Sequence, residues 1–258
     1  MMQYMHSFLL FHVVICLIQN AFGSEIINGK ITKEKSMMYM ASMQNSSKEH
    51  ICGGFLVSED FVVTAAHCDD TGNLSSVVLG THNLKKVDSH TMRYNIKKCK
   101  HPSYVNAASG YDIMLLKLSR KAQLSKKTQI KTIQLSSHQI ILKKKKICSV
   151  AGWGYTRTGG QTVDKLQVVD VPLINLEKCQ EAWNNILPVN VVCAGGYGTN
   201  KGFCQGDSGG PLVCNGKAVG VVSFNNNQKC DYPDVPNIYT DISKYLPWIK
   251  DILNKKHC

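Results

Sequence analysis

Gly206-Asp207-Ser208-Gly209-Gly210-Pro211, preceded by Cys204-Gln205, sets one serine between glycines. Glycines at 206, 209 and 210 flank it on both sides, so backbone N–H groups stand open to a ligand near the hydroxyl. Two further strings stand apart from it in the chain. Thr64-Ala65-Ala66-His67-Cys68 closes an apolar run, where the histidine reads equally as a core residue or as half of a zinc site. Tyr111-Asp112-Ile113-Met114-Leu115-Leu116-Lys117-Leu118 opens a nearly all-apolar strand with a carboxylate. A carboxylate at the edge of a core must find hydrogen-bond partners, although alone Asp112 also reads as a turn residue.

The surrounding chain narrows the possibilities. With 258 residues it is long enough for one β-barrel-type domain or two small ones, and 43% hydrophobic content excludes global disorder. Eleven cysteines are too many for an ordinary cytosolic enzyme and point to metal binding or an oxidising compartment. Phe8–Ile18 is an uncharged apolar run followed by Ala21-Phe22-Gly23, a small-x-small pattern. The run is too short for a bilayer, which takes about 20 residues, so residues 1–23 are expected to be a removed secretory signal. No later segment has transmembrane length, and the processed chain is expected to be soluble.

The remainder reads as β structure. Ile51–Val57, Phe61–Ala66, Ser76–Leu79, Ile147–Trp153, Lys165–Val171 and Ala218–Phe224 are β-branched or aromatic runs, most of them separated by Gly, Asn, Asp or Ser. Only the end looks helical: Ile242, Tyr245, Leu246, Ile249, Ile252 and Leu253 share one helical face. Ser243 is the expected cap, with Pro247 in the first turn. The polar stretch Ser119–Lys131 is the expected crossing between two halves, and no internal repeat is present.

Taken together and in the order His, Asp, Ser, these motifs resemble the trypsin/chymotrypsin family of serine proteases. Further landmarks carry the likeness: Ile26-Ile27-Asn28-Gly29, Cys52-Gly53-Gly54, Ala151-Gly152-Trp153-Gly154 and Pro236-Asn237-Ile238-Tyr239-Thr240. The resemblance implies an all-β fold of two six-stranded antiparallel Greek-key barrels with a C-terminal helix. The protease domain would span residues 26–258, its N-terminal barrel about 26–125 and its C-terminal barrel plus helix about 126–258. It implies Ser208 as nucleophile, His67 as general base, Asp112 as the group orienting His67, and the N–H groups of Gly206 and Ser208 as the oxyanion hole. Ser223 would support Asp112, and Ser223-Phe224-Asn225 would pair with substrate backbone. Protein or peptide substrates and serpin-type inhibitors follow as partners, with no metal or cofactor.

If the signal ends at Gly23, only Ser24-Glu25 precedes Ile26. That acidic-ended dipeptide resembles the granule proteases of cytotoxic lymphocytes and mast cells, which a dipeptidyl peptidase trims. The freed Ile26 ammonium would pair with Asp207, and a secretory or cytolytic granule is the expected location. The family's bridges imply Cys52–Cys68, Cys148–Cys214, Cys179–Cys193 and Cys204–Cys230, with Cys16 lost in the signal. The spacings lack the paired C-x-x-C units of a zinc site. Cys99 and Cys258 remain. An intramolecular bridge is favoured over a disulfide-linked dimer of the granzyme A kind.

The Ser223–Cys230 step (SFNNNQKC) is closest to granzyme A, but the pocket is not tryptic. Gly202 stands where an Arg- or Lys-binding pocket carries Asp, Phe203 replaces a small polar residue, and Asn225 and Asn237 occupy wall positions commonly held by Gly. With Gln205 at the rim, a narrower, neutral pocket for apolar or small polar P1 residues is expected. Asp231 and Asp234 are close enough in sequence to supply a pocket carboxylate instead.

Without Glu25 the charge of residues 26–258 is 30 − 17 = +13, and 27 of the 30 cations are Lys. Runs at Lys143–Lys146, Lys85-Lys86 and Lys97, Lys98, Lys100 suit point-charge attraction to a polyanion such as a sulfated proteoglycan. No aromatic-interleaved motif for specific nucleic-acid binding is present. Asn45-Ser46-Ser47 and Asn73-Leu74-Ser75 are glycosylation sequons. A catalytically weak or dead, polyanion-binding or antimicrobial family member is the alternative function. A digestive or plasma protease is disfavoured by the acidic dipeptide.

Overall fold

The apolar runs pair antiparallel into two barrels, seen in a computed structural model that describes residues 26–70, 73–89, 92–125, 128–138, 146–230 and 234–258. The expected signal with Cys16, the dipeptide Ser24-Glu25, Lys143 to Lys145 and Asp231 lie outside the described residues. The first strands are β1 (Lys30–Ile31), β2 (Met40–Gln44), β3 (His50–Leu56), β4 (Phe61–Thr64), β5 (Ser76–Val78), β6 (Arg93–Lys100) and β7 (Met114–Leu118). After them come β8 (Gln134–Leu135), β9 (Ile147–Gly152), β10 (Gln167–Ile174), α1 (Leu176–Ala182), β11 (Val191–Ala194), β12 (Pro211–Cys214), β13 (Lys217–Phe224), β14 (Asn237–Asp241) and α2 (Leu246–Lys255).

Strands β2-β3-β4-β7-β6-β5 close the first barrel. In the second, the path β10-β11-β14-β13-β12-β9 closes because β9 also pairs β10. Strand β10 shows why: Gln167, Val169, Val171 and Leu173 alternate inward with half-exposed or exposed neighbours, the two-residue period of a sheet with one face on a core. The expected two six-stranded barrels with a terminal helix are present.

The barrels are not a simple cut near residue 125, because the termini are exchanged. Strand β1 leaves the first half to pair with β10 of the second barrel. Helix α2 leaves the second half, and Ile242, Tyr245, Ile249 and Ile252 join the core of the first. Those side chains are the helical face read from the sequence. Ser243 is not the cap of that helix. Asp241 accepts from its N–H at 3.0 Å, capping a short 3-10 turn, and α2 begins only at Leu246 with Pro247 in its first turn. Helix α1 was not expected. Asn175 caps it, accepting from Glu177 N at 2.8 Å, but only Cys179 of its seven residues is buried, so it carries no apolar stripe to read.

Five disulfides are formed: Cys52–Cys68, Cys99–Cys258, Cys148–Cys214, Cys179–Cys193 and Cys204–Cys230. Cys99–Cys258 ties the end of α2 to β6, beside the strand that follows Asp112. It closes a separation of 159 residues. Restricting the unfolded chain in this way stabilises by about 2–4 kcal/mol. Cys258→Ser is therefore expected to lower the melting temperature while wild type migrates as a monomer in non-reducing electrophoresis. A wild-type dimer band abolished by the substitution would show that the bridge runs between chains.

Candidate active site

His67 lies in a 3-10 turn directly after β4, and Asp112 lies just before β7. Because Thr64 pairs with Met114 across these antiparallel strands, both side chains emerge at the same end of the pair. Asp112 is 1% exposed. Its Oδ1 accepts the backbone N–H of His67 at 2.9 Å. Its Oδ2 accepts from His67 Nδ1 at 2.7 Å and from Ser223 Oγ at 2.5 Å. Thr240 Oγ1 donates to the Asp112 carbonyl at 2.9 Å. A carboxylate accepts only, so Nδ1 carries the proton and the neutral ring keeps a lone pair on Nε2.

The charges of the pair reinforce one another. Burial alone would lower the His67 pKa, but the Asp112 charge and hydrogen bond, helped by the charge of Asp70, raise it above its ordinary 6.5. Burial would raise Asp112, yet the His67 charge and the hydrogen bonds from His67 and Ser223 hold it below the usual carboxylate range.

Ser208 sits on a loop fixed from both barrels. Gly53 N–H of the first barrel donates to the Ser208 carbonyl at 2.7 Å, and Gly209 N–H reaches Val222 O of the second at 2.8 Å. Beneath the loop, Asp207 is fully buried and accepts from Gly154 N at 2.8 Å and Cys204 N at 2.9 Å. A Cβ on Gly152 or Gly154 would land on its carboxyl group, which explains the glycines of Ala151-Gly152-Trp153-Gly154. Gly206 has φ +90°, a region that favours glycine.

Ser208, His67, Gly206, Gln205, Phe203, Ser223, Phe224 and Asn225 line one cleft of about 480 Å³. Gly202 and Asn237 do not line it and lie buried behind it. Phe203, 3% exposed, meets Tyr239 edge to face at 5.3 Å between centroids, and its N–H donates to Asn237 Oδ1 at 3.3 Å. Among the described residues no Asp, Glu, Lys or Arg lines this cleft, and Asp234 is exposed and is not one of its lining residues. His67 also lies near Cys52 and Cys68, but those sulfurs are bonded to each other and are not thiolate ligands. Of the basic clusters, Lys98 pairs with Asp69 at 2.6 Å, Lys100 with Asp69 and Asp70, and Lys85 with Asp164. Asn45 is tied to Glu49 through both amide atoms, while Asn73 is exposed.

The sequence reading missed His50, Ser42 and Trp183. His50 reaches the Gly206 carbonyl at 2.9 Å, and Trp183 stands edge-on to Phe224 at 5.5 Å. Contacts of this range leave no local signal, since His50 and Gly206 are 156 residues apart.

A two-barrel fold with a buried aspartate, a histidine and a half-buried loop serine on one cleft defines the class of chymotrypsin-like serine endopeptidases. The trypsin family profile matches residues 26–249, and the chain belongs to that family. It is 40% identical to duodenase-1 of Bos taurus over 96% of each chain. It is 37% identical to granzyme B(G,H) of Mus musculus, covering 94% of this chain and 96% of that one. Chymase of Canis lupus familiaris is 37% identical over 97% and 99%. The structure of neuropsin, a serine protease of mouse brain, superposes with a TM-score of 0.77 at 32% identity, covering 87% of this chain and 98% of that one. The protein is thus a serine endopeptidase related to the granule proteases.

Asp207 gives a pH expectation. Burial raises its pKa from 3.8 to about 7 against the pull of its two backbone donors. The folded chain then binds a proton that the unfolded chain has lost, so stability falls as pH rises from about 4 to about 7. Thermal melts of the unprocessed chain should show this fall, and Asp207→Asn should flatten it. An unchanged slope would contradict the assignment.

Proposed function

We propose that the chain is a granule-type endopeptidase that cleaves after uncharged P1 residues, with Ser208, His67 and Asp112 as its triad. The observation that carries this is the His67–Asp112–Ser223 arrangement opening on the same neutral cleft as Ser208. Ser208 Oγ attacks the scissile carbonyl, and His67 Nε2 takes its proton. The C–N bond breaks as His67 returns that proton to the leaving amine, leaving an acyl-enzyme. Water then repeats the sequence and restores Ser208. Asp112 keeps Nδ1 as the proton-bearing nitrogen and stabilises the imidazolium. The N–H groups of Gly206 and Ser208 receive the developing oxyanion, where one donor contributes about 3–4 kcal/mol of transition-state stabilisation.

Pocket specificity follows from what fills it. Phe203 occupies the wall against Tyr239, Gly202 supplies no charge, and Asn225 narrows the entrance, which favours small or apolar side chains. The granzyme A likeness rests on the Ser223–Cys230 loop and does not extend to this pocket. Removal of Ser24-Glu25 by a dipeptidyl peptidase fits the burial of Ile26 and of Asp207, since a buried carboxyl held only by neutral donors gains most from a nearby ammonium. The granzyme and mast-cell names among the relatives support a secretory-granule setting. The excess of lysine supports storage on a sulfated proteoglycan, and an open cavity of about 660 Å³ lined by Lys35, Lys131, Ser125 and Thr132, with no carboxylate among the described residues of its walls, offers one docking surface.

A fluorophosphonate label and a P1-varied peptide library on the Ile26-started protein test this reading. Labelling should vanish in Ser208→Ala, and Asp112→Asn should lower kcat about 10⁴-fold. Because His67 must be neutral to act, the acid limb of kcat/KM should lie above the ordinary 6.5. Efficient cleavage after Arg or Lys would overturn the pocket assignment, and Phe203→Ser should admit larger P1 side chains.

A further inference from the structure

The carbonyl of Gly206 ends a row of polar side chains that starts on the far side of the first barrel. His50 Nε2 lies 2.9 Å from Gly206 O, and His50 Nδ1 lies 2.8 Å from Ser42 Oγ. Gln44 Nε2 donates to Ser42 Oγ at 3.2 Å. Arg93 donates to Gln44 Oε1 at 2.7 Å and, through its other terminal nitrogen, to Ser76 Oγ at 2.7 Å. Ser42 and Gln44 are buried, at 0% and 2% exposure.

Chemistry leaves this row one direction. A carbonyl only accepts, so Nε2 of His50 must carry the proton. Burial pushes the His50 pKa down to about 4, so the ring is neutral near pH 7 and Nδ1 is an acceptor. The Ser42 hydroxyl must then donate to Nδ1, which leaves its oxygen to accept from the Gln44 amide. The Gln44 carbonyl in turn faces the Arg93 guanidinium, which cannot reverse because it has no acceptor. From the Arg93–Gln44 bond onward each donor points toward Gly206, and the charge at Arg93 polarises the series. The edge of His50 also packs on buried Trp153 at 5.6 Å between centroids, fixing the ring.

What the row holds is the peptide between Gly206 and Asp207. That unit stands between the two peptides whose N–H groups belong to Gly206 and Ser208. Its other end is fixed by Asp207 N–H on Cys204 O at 3.0 Å. Gly206 at φ +90° has no side chain to resist rotation of this unit, so the bond from His50 does so instead.

We propose that Arg93, Gln44, Ser42 and His50 are positioning residues that hold the Gly206–Asp207 peptide so that the flanking N–H groups of Gly206 and Ser208 face the substrate oxyanion. The proposal rests on the reading of Gly206 and Ser208 as the oxyanion donors. The row touches neither substrate nor triad, so its effect should fall on transition-state binding and spare ground-state binding.

The test uses the secreted protein processed to Ile26, titrated with a fluorophosphonate so that kcat refers to active molecules, with peptide nitroanilides bearing Ala or Val at P1. His50→Ala should lower kcat about tenfold to a hundredfold with KM within about twofold, somewhat less than the loss of a whole oxyanion donor. Affinity for a peptide aldehyde, which mimics the tetrahedral oxyanion, should fall in parallel. His50→Gln, whose amide can donate to the same carbonyl, should recover most of the loss. Arg93→Met should show a smaller loss of the same kind. Ser42→Ala keeps the ring and its packing on Trp153, and decides the matter if His50→Ala does not fold. Wild-type kcat in folded His50→Ala or Ser42→Ala, or a loss confined to KM, would overturn the proposal. Wild-type protein that takes no label would overturn the protease reading beneath it, a separate result.

Discussion

The buried carboxylate of Asp112 is the constraint on which the two barrels meet. A charge at 1% exposure is costly unless fully hydrogen-bonded, and no single barrel supplies its partners. His67 comes from the turn after β4 in the first barrel, whereas Ser223 and the support from Thr240 come from β13 and β14 of the second. Docking the barrels and satisfying Asp112 are therefore the same event. The groups that satisfy it are also those that fix the tautomer of His67, so the chemistry of the cleft and the cohesion of the fold share one set of hydrogen bonds.

A second buried acid sets the loop that carries Ser208. Asp207 sits against the bare Cα atoms of Gly152 and Gly154 and takes its two hydrogen bonds from backbone. The serine loop is thereby pinned at three levels: by Asp207 from below, by Gly53 N–H on the Ser208 carbonyl, and by His50 on the Gly206 carbonyl. Each contact uses backbone on at least one side. Substitutions at surrounding surface positions therefore leave the geometry of this loop largely untouched.

Much of this was legible in the sequence because the landmarks are local. Gly206 to Pro211, Thr64 to Cys68 and the carboxylate before Met114–Leu118 each read from adjacent residues, and the β-branched runs locate β3, β4, β9, β10 and β13 to within a few positions. The misses have physical causes. Strand β2 is Met-Ala-Ser-Met-Gln, buried throughout yet without a β-branched residue. Strand β6 carries three lysines, so it read as a surface charge cluster, although Tyr94 and Cys99 face the core. Helix α1 lies on the surface with one buried side chain, and the row ending at His50 exists only through pairings of distant residues.

The exchange of termini bears on how the pocket could change while the reactive groups stay in place. Helix α2 presses on the loop before Asp112: Tyr245 donates to the Gly110 carbonyl, and His101 stacks on Tyr111 while tilting against Trp248 at 5.0 Å. The Cys99–Cys258 bridge holds the end of that helix to the first barrel, so Asp112 is braced from a side remote from the pocket. Gly202 and Phe203, by contrast, are held by the adjoining Cys204–Cys230 bridge and by Asn237. Neither of these supports touches His67 or Asp112. A change at Phe203 therefore alters the wall of the cleft without removing any hydrogen bond that Asp112 requires.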